Sequence, residues 1–311
     1  MSSEPTALIR LGLIGAGRWG KNFIRTVRGL DGVVLSVLCS RNPASGGLVD
    51  SNCKIIPDWH DLLAGGFCDG VIIATPPDTH AEILQAMIRA RIPSLVEKPL
   101  TLDLREAIDL QQLLRRNPMP VLVDHIYLFH PAYRELKRLT AELGPIRSIE
   151  SEGGNRGPFR PNYSALWDYG PHDIAMCLDL LQKPPLRVAC KAGETSEGGN
   201  YELDLQFPGD VRASIKVGNL ANAKVRRFAA QCGSNTLVFD DLAPDKLQLD
   251  GASIPVADTP PLVVAVETFA NGIRHGATEG FGLDLATEVI RALEAAQSSS
   301  RRPDGGPQDP G

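Results

Sequence analysis

Two short polar segments of this chain carry side chains that could move a proton or stabilise a developing negative charge. Glu97-Lys98-Pro99 follows a short apolar run, and the proline favours an extended backbone that holds Lys98 in one direction. The segment Trp167–Asp173 contains Asp168 and, one helical turn later, His172. An imidazole titrates near neutral pH and suits acid–base catalysis, whereas an ammonium group stabilises an oxyanion. A structural interpretation stays open for both: a surface lysine paired with its neighbour, and a capping aspartate near a hydrogen-bonded histidine.

Pro171 bears on how His172 is presented. Proline is common at the first position of a helix, so Pro171 could begin a helix and place His172 in its first turn. The positive end of the helix dipole would then disfavour the protonated imidazole. Asp168 would lie close enough to orient the ring.

A glycine-rich turn near the start of the chain has the pattern that a dinucleotide pyrophosphate requires. The apolar run Leu8–Ile14 leads into Gly15-Ala16-Gly17-Arg18-Trp19-Gly20, and a helix-like pattern follows. In this motif Gly15 makes the tight turn, Gly17 lets the backbone approach the phosphates, and Gly20 allows helix and strand to pack closely. A turn between two packed elements could also use glycines, but the strand and helix around this one favour dinucleotide binding.

The end of the second predicted strand, Val33–Cys39, bears on which dinucleotide binds. NAD sites usually have an acidic residue here that bonds the ribose 2′-hydroxyl. This chain has Ser40-Arg41-Asn42 instead. Because a hydroxyl and a guanidinium suit a 2′-phosphate, the sequence favours NADP. NAD stays the alternative if Arg41 is an ordinary surface arginine.

The first half of the chain alternates strand and helix patterns. This succession predicts a doubly wound parallel sheet, a Rossmann domain, over residues 1–124. The predicted strands after the first two are Asp69–Thr75, Ser94–Val96 and Val121–Val123, and the predicted helices are Asp58–Ala64, Thr79–Arg91 and Asp103–Arg116. Ligands of such sheets bind at the carboxyl ends of the strands. The residues expected to contact the cofactor are Gly15, Gly17, Arg18, Trp19, Gly20, Ser40, Arg41, Thr75, Pro76, His80, Glu97 and Lys98.

The second half has a different pattern. Helices are predicted at Pro131–Leu143 and Leu166–Leu181, with a strand at Ile146–Glu152 between them. A series of strands separated by turn residues follows and predicts an antiparallel meander. These strands are Leu186–Cys190, Tyr201–Phe207, Val211–Val217, Val225–Gln231, Thr236–Phe239 and Lys246–Leu249, before two helices at Leu262–Arg274 and Leu283–Ala296. We therefore expect an α+β domain with a large, mostly antiparallel sheet over residues 125–297 and a disordered tail over 298–311.

Composition is typical of a soluble enzyme of more than one domain. The chain has 311 residues, of which 43% are hydrophobic and 22% charged, and a net charge of −5. A net negative charge does not indicate a protein that binds nucleic acid. The six cysteines form no C-x-x-C pair and the histidines show no metal-ligand spacing, so we expect reduced thiols and no metal. With neither a signal peptide nor an apolar run of membrane-spanning length, the expected location is cytoplasmic.

Taken together, these segments resemble the Gfo/Idh/MocA (glucose–fructose oxidoreductase / inositol 2-dehydrogenase) family over nearly the whole chain except the tail. The resemblance rests on the glycine turn, Asp69–His80, Glu97-Lys98-Pro99 and Trp167–Asp173. It implies a Rossmann domain followed by a large antiparallel sheet, and a homo-oligomer, a dimer or tetramer. A branch linked to polysaccharide or sugar-nucleotide metabolism has a similar Leu-Trp-Asp…Pro-His-Asp run.

The same resemblance implies roles for individual residues. Lys98 and His172 would flank the reacting carbon of a sugar or cyclitol, with Asp168 assisting. Many members have an acid three residues after the histidine, where this chain has Ala175. Asp173 could therefore be the substrate-side carboxylate, or merely an acid at the start of a helix. In hydride transfer with a nicotinamide, His172 is the first choice to exchange the proton of the substrate oxygen and Lys98 to stabilise its charge; the reverse assignment stays open.

The substrate is indicated by residues in the first part of the predicted second domain. Two arginines in the loop 155–163 could hold a phosphate or a nucleotide diphosphate, or could face solvent. Side chains after the last Rossmann strand, His125, Tyr127 and His130, could line the site or pack beneath the next helix. The expected substrate-binding residues are Arg156, Arg160, Tyr163, Asp173 and Tyr127. They suggest a nucleotide-linked or phosphorylated sugar. The alternatives are a free polyol or inositol as substrate, or a non-catalytic NADP-binding sensor.

Overall fold

The computed structural model of this chain describes residues 7–276 and 282–301. Contacts divide the chain into two compact units. The first comprises Met1–Arg134 with Ala257–Ile290, and the second comprises Glu135–Val256 with Arg291–Gly311.

The first unit is built on a six-stranded parallel sheet with the strand order β3-β2-β1-β4-β5-β6. This is the order of a dinucleotide-binding sheet, in which the order of the strands reverses between β1 and β4. The strands are β1 (Ile9–Ile14), β2 (Val33–Cys39), β3 (Lys54–Ile56), β4 (Gly70–Ile73), β5 (Ser94–Glu97) and β6 (Val121–Asp124). The α-helices between them are α1 (Arg18–Arg28), α2 (His80–Arg89) and α3 (Leu104–Arg116). The predicted Rossmann sheet is confirmed.

Local sequence signals explain where several of these elements begin. Asp103 caps α3 by accepting a hydrogen bond from the amide of Glu106, 3.0 Å away. Asp58 caps the segment Trp59–Ala64 in the same way, although that segment is a 3-10 helix. The helix predicted from Thr79 begins one residue later, because Pro77–Thr79 forms a 3-10 turn of its own.

The first unit also contains a part of the chain that the sequence assigned to the second domain. Helix α6 (Pro261–His275) buries Ala265, Val266, Phe269 and Ala270 in the same core as β1 and α1. Helix α7 (Leu283–Ser300) contributes its first part to this unit and the rest to the other. The boundaries expected at residues 124 and 297 thus differ from the observed division, because the apolar face of α6 covers the Rossmann sheet.

The second unit is built on an eight-stranded sheet with the order β14-β13-β12-β11-β7-β10-β9-β8. Its strands are β7 (Ile146–Arg156), β8 (Arg187–Glu194), β9 (Gly199–Phe207), β10 (Val211–Gly218), β11 (Leu220–Cys232), β12 (Asn235–Asp240), β13 (Leu247–Leu249) and β14 (Ala252–Ser253). The mostly antiparallel sheet is confirmed, but the simple meander is wrong. Strand β7 lies between β10 and β11 and pairs in parallel with β10. Pairing between neighbours along the chain is therefore interrupted by a strand from much earlier in the sequence.

One face of this sheet packs on helix α5 (Ala165–Leu181), and the other bears exposed polar side chains at alternate positions. A row of alternating charge crosses five strands of the exposed face. In register, its members are Lys191, Glu202, Lys216, Glu152 and Arg227.

The chain enters this unit twice, each time within a helix. Helix α4 (Pro131–Leu143) has the predicted bounds, and α7 extends to Ser300. Residues 298–300, predicted as the start of a disordered tail, form the last turn of α7; the rest of that tail, from residue 302, lies outside the described residues. No helix among residues 7–276 and 282–301 is long and apolar enough to cross a membrane.

Candidate active site

The three glycines of the turn between β1 and α1, the glycine corner, have the different surroundings that the motif requires. Gly15 has φ +100°, and a Cβ there would lie 2.7 Å from the carbonyl oxygen of Ala74. A Cβ on Gly20 would lie 2.1 Å from the carbonyl oxygen of Gly15, so helix and turn touch at this point. Around Gly17, in contrast, a Cβ would meet no described atom within 4 Å. The corner is packed where the fold needs it and open where a phosphate would approach.

The start of α1 fits an anion. Gly17 is its N-cap and offers no side chain to the first amides, and no acidic residue lies in the first turn. Those amides therefore keep their hydrogen-bonding capacity, and the helix dipole favours negative charge. Arg18 is exposed and Trp19 half-buried at the same turn. These residues fit the pyrophosphate of a dinucleotide.

The loop after β2 carries the residues expected to face the ribose. The amide of Ser40 donates to the carbonyl of Ile56 at 2.9 Å, and its hydroxyl lies 2.8 Å from that of Ser45. Arg41 is exposed. Hydrogen bonds from His60 lower the pKa of Asp58, and the charge of Arg41 makes a smaller contribution in the same direction. The loop thus presents a hydroxyl and a guanidinium, with one carboxylate close by.

His80 was expected to contact the cofactor, but its ring is used inside the protein. It is fully buried at the start of α2, with Nδ1 2.9 Å from the carbonyl oxygen of Pro99 and Nε2 2.9 Å from that of Thr75. Burial lowers the pKa of His80. The imidazole therefore ties the loop after β4 to the loop after β5 and does not face a ligand through its nitrogens. Thr75 and Pro76 stay on the surface side of this connection, half-buried and exposed respectively.

Lys98 follows β5 at the carboxyl edge of the sheet and is half-buried, between the buried residues Glu97 and Pro99. Its backbone amide donates to Oε2 of Glu97 at 3.2 Å. Because Pro99 is held by His80, the backbone that carries Lys98 is fixed on both sides. That the lysine side chain is held in one direction stays a prediction.

Two buried ionisable residues next to Lys98 complete this edge. Asp124 ends β6 as the register partner of Glu97, and His125 follows it. Burial raises the pKa of Asp124 to about 7, opposed by the positive charge of Lys98. Burial, with a smaller contribution from the charge of Lys98, lowers the pKa of His125 to about 3. Asp124 was not among the predicted site residues; an acid directly after the apolar run Val121–Val123 was the signal available.

The neighbouring residues Tyr127 and His130 belong to the connection into α4. Tyr127 lies half-buried in the 3-10 segment Ile126–Phe129. Nδ1 of the buried His130 accepts from the amide of Ala132 at 3.1 Å, inside the first turn of α4. His130 therefore caps α4, a role that neither predicted alternative, lining the site or packing beneath the next helix, described.

In the second unit, α5 carries His172 in a different setting from the one predicted. The helix begins at Ala165 with Ser164 at the N-cap, so Pro171 lies inside it and His172 falls well beyond the first turn. The prediction that Pro171 begins the helix is wrong, because the helical pattern continues through the proline from Leu166. Asp168 is the residue in the first turn, and its Oδ2 lies 3.2 Å from Nε of Arg160.

Asp173, offered as a substrate-side carboxylate, is a core residue. It is fully buried, and Nη1 of Arg226 lies 2.9 and 2.8 Å from its two carboxylate oxygens. The hydroxyl of Ser151 donates to it as well. Arg226 passes over Gly153, where a Cβ would lie 2.6 Å from the guanidinium. The assignment of Asp173 to the substrate is therefore wrong: the ion pair joins α5 to β11, and the hydrogen bond from Ser151 joins α5 to β7.

A cavity of about 220 Å³ in the second unit brings together Arg160 and Tyr163, two of the predicted substrate-binding residues. Its lining also includes Glu194 and Glu197. Arg156 is outside the lining and lies 3.7 Å from Glu197, with both side chains exposed. Both arginines of the 155–163 loop thus have an acidic neighbour. Among the described residues, no group of His, Cys, Asp and Glu is arranged to hold a metal ion.

Comparison with known proteins agrees with this geometry. Residues 9–125 match the model of the Gfo/Idh/MocA oxidoreductase family, NAD-binding Rossmann fold. A crystal structure of an oxidoreductase from Magnetospirillum magnetotacticum is 40% identical, with a TM-score of 0.88, over 93% of this chain and 100% of that one. The rhizopine catabolism protein MocA of Rhizobium meliloti is 29% identical over 94% of both chains.

A further match concerns a protein with a named substrate. The UDP-N-acetylglucosamine 3-dehydrogenase of Acidithiobacillus ferrooxidans is 28% identical over 58% of this chain. The match covers 56% of that enzyme, so it spans little more than half of its length. From the Rossmann match and the full-length similarity together, the chain belongs to the Gfo/Idh/MocA family of oxidoreductases.

Proposed function

We propose that this protein transfers a hydride between NADP and a ring carbon of a sugar. The observation that carries the proposal lies within the first unit: an open glycine corner after β1 and a fixed lysine after β5 lie at the same carboxyl edge. The strand order places β2, β1, β4 and β5 side by side. Neighbouring strands are about 4.8 Å apart, so the four ends span about 14 Å, a reach suited to an extended dinucleotide.

Each part of that edge suits one part of the cofactor. Gly17 and the first amides of α1 would hold the pyrophosphate, and Ser40 with Arg41 would hold the ribose 2′-phosphate. When bound, the nicotinamide ring supplies the hydride acceptor or donor. The absence of an acid at positions 40–42 supports NADP over NAD.

Two residues of this chain act on the substrate oxygen in our proposal. That oxygen loses or gains a proton as hydride moves, and a positioned acid–base group contributes about 10²–10⁴-fold. Lys98 and His172 are the two groups, one exchanging the proton and the other stabilising the charge. The helix-terminus argument for His172 does not apply inside α5, so both assignments of the proton role stay open.

For the substrate we propose first a nucleotide-linked or phosphorylated sugar, supported by Arg160 and Tyr163 in one cavity. A free polyol is the second candidate, and a specific observation favours it. Arg160 is paired with Asp168 and Arg156 with Glu197, so much of the positive charge is already neutralised. Carboxylates accept hydrogen bonds from hydroxyl groups, which a free polyol has in abundance.

A substrate screen tests the proposal. The purified chain is incubated with NADP⁺ or NAD⁺ and, separately, UDP-N-acetylglucosamine, sugar phosphates, free hexoses and inositols, and absorbance of the reduced nicotinamide is followed. We expect turnover with one sugar class and kcat/KM at least about tenfold higher with NADP⁺ than with NAD⁺. Arg41→Ala should remove most of that preference, whereas Arg18→Ala, also an exposed arginine, should retain it. Failure of the chain to bind either dinucleotide would refute the proposal.

A further inference from the structure

The cavity of the second unit contains an arginine that uses only part of its hydrogen-bonding capacity. Arg160 lines this cavity, and its Nε donates to Oδ2 of Asp168 at 3.2 Å. Its two terminal nitrogens, Nη1 and Nη2, have no hydrogen-bond partner among the described residues. A guanidinium has five N–H donors, so four remain for a ligand. These two terminal NH₂ groups are called the guanidinium fork below.

Asp168 fixes the orientation of this fork. Only 11% of the Asp168 side chain is exposed, and the residue lies in the first turn of α5. Because the contact is made through Nε, the planar guanidinium is held at its near end and the fork stays available. His172 follows Asp168 by about one turn of α5, so the fork is anchored close to a proposed acid–base group.

Other polar side chains of the lining are already bonded within the protein. The hydroxyl of Tyr201 donates to Oε1 of Glu194 at 2.6 Å. Asn219 uses both ends of its amide group, accepting from one backbone amide at 2.9 Å and donating to one carbonyl oxygen at 3.1 Å. The fork of Arg160 therefore offers donors that these neighbours do not use.

The charges around the fork favour a ligand with a single negative charge. Asp168 offsets the charge of Arg160, and the lining also includes Glu194 and Glu197. A phosphate monoester carries nearly two negative charges at neutral pH, so these acids repel it more strongly than they repel a carboxylate. A carboxylate also presents two coplanar oxygens, which match the fork in a bidentate pair.

The size of the cavity limits what can enter it. Pockets for drug-sized ligands have volumes of about 300–1000 Å³, whereas this cavity has about 220 Å³. It suits a single sugar ring or a smaller group, and the nucleotide of a nucleotide-linked sugar would lie outside it.

We propose that Arg160 binds a carboxylate carried by the substrate, which is therefore a sugar acid, and that Asp168 is the positioning residue that orients the guanidinium. The inference rests on the proposed function and names the class of sugar. Asp168 then acts on substrate binding through Arg160.

Ligand-observed NMR titrations of the purified chain test this without turnover. The probes are the uronates of glucose, galactose and mannose, each compared with its parent hexose and its hexose 6-phosphate. We expect at least one uronate to bind about tenfold or more tightly than both of its matched compounds, because only the uronate offers a singly charged bidentate group.

Three variants test the roles of the individual residues. Arg160→Lys keeps the charge but removes the fork, and the Kd for that uronate should rise at least about tenfold. Arg138→Lys is the matched control, because Arg138 is also paired with carboxylates but is not part of the cavity lining, and its Kd should stay that of the wild type. Asp168→Asn removes a negative charge next to the fork, so the preference for the uronate over the hexose 6-phosphate should decrease.

Each outcome supports or overturns the carboxylate site. Uronates that bind no more tightly than the parent hexoses, or equal effects of Arg160→Lys and Arg138→Lys, would overturn it. Tighter binding of a hexose 6-phosphate by the wild type would assign the fork to phosphate and also overturn it. If circular dichroism shows that Arg160→Lys does not fold, Asp168→Asn decides, and an unchanged preference in that variant contradicts the proposal.

The failure of this inference is distinguishable from the failure of the proposed function. A chain that binds a uronate through Arg160 but oxidises no sugar retains the carboxylate site and rejects the reaction. A chain that oxidises neutral sugars with an unchanged KM in Arg160→Lys retains the reaction and rejects the site. If the uronate is oxidised, Arg160→Lys should raise KM at least about tenfold while kcat changes less than about twofold.

Discussion

Asp173 and Arg226 form a buried ion pair, in which Nη1 of the guanidinium lies 2.9 and 2.8 Å from the two carboxylate oxygens. The side chains are 0% and 4% exposed, so neither charge has water as an alternative partner. The pair fixes the turn of α5 next to His172 against the sheet of the second unit.

Breaking this pair should destabilise the protein strongly. Asp173→Asn leaves the buried charge of Arg226 uncompensated, and we expect a loss of about 3 kcal/mol in the free energy of unfolding, measured by urea denaturation. Asp284→Asn is the control, because Asp284 pairs with Arg115 while both side chains are mostly exposed. That change should cost less than about 0.5 kcal/mol. Equal effects of the two substitutions would contradict the structural role of Asp173.

The glycine corner predicts opposite effects for two alanine substitutions. Gly17→Ala adds a methyl group where no described atom lies within 4 Å, so stability should be unchanged while the Kd for NADPH rises at least about tenfold. Gly20→Ala places its Cβ against the carbonyl oxygen of Gly15, and we expect about 2 kcal/mol of destabilisation. Thermal unfolding and fluorescence titration with NADPH give the two readouts. If Gly17→Ala binds NADPH with wild-type affinity, the cofactor phosphates do not bind at this corner.

The buried pair Asp124 and His125 predicts a pH dependence of stability that cancels in the wild type. Between pH about 6.5 and 4, folded Asp124 binds a proton that its unfolded form, with a pKa of 3.8, lacks. Unfolded His125, with a pKa of 6.5, binds one that the folded form lacks. As pH falls, protonation of Asp124 therefore stabilises the folded state, whereas protonation of unfolded His125 destabilises it.

When either residue is removed, the free energy of unfolding should change with pH through the other residue alone, by about 1.4 kcal/mol per pH unit. Relative to the wild type, Asp124→Asn should lose stability as pH falls from about 6 to 5, and His125→Gln should gain it. Urea denaturation at the two pH values measures both. Parallel pH dependences for the wild type and both variants would show that these groups do not titrate as the burial implies.

The charge row of the second sheet predicts a graded effect of charge reversal. Lys216 lies in register between Glu202 and Glu152, whereas Lys191 at the end of the row faces Glu202 alone among the row's members. Like charges directly opposite destabilise a sheet by up to about 1 kcal/mol for each pair. Lys216→Glu should therefore cost about twice as much stability as Lys191→Glu at low salt, and high salt should reduce both effects. A larger loss for Lys191→Glu would contradict the register argument.

Local signals in the sequence were sufficient for much of the fold. The bounds of β2 and α4 were predicted to the residue, because apolar patterns and turn residues there act locally. The strand order of the second sheet was not predicted, because β7 pairs with β10 and β11, which lie more than 60 residues later in the sequence. The placement of α6 in the first unit depends likewise on contacts that are distant in sequence.

The candidate site shows the same division. The roles of Gly15, Gly17 and Gly20 follow from spacing alone, and the structure gives each the environment expected. For His80 and Asp173, residue type suggested a ligand, but burial and partners at distant positions give them internal roles. Asp124 was overlooked because a single acid after a strand becomes informative only when its burial is known.

The central claim, that Lys98 and His172 act on the substrate oxygen while other residues hold the cofactor, is tested most directly by comparing turnover with cofactor affinity. Lys98→Ala and His172→Ala are assayed for kcat on the sugar found by screening, and for Kd of NADPH by fluorescence. We expect kcat to fall at least about tenfold in each variant, with Kd changed less than about twofold. Wild-type turnover in both variants would contradict the account.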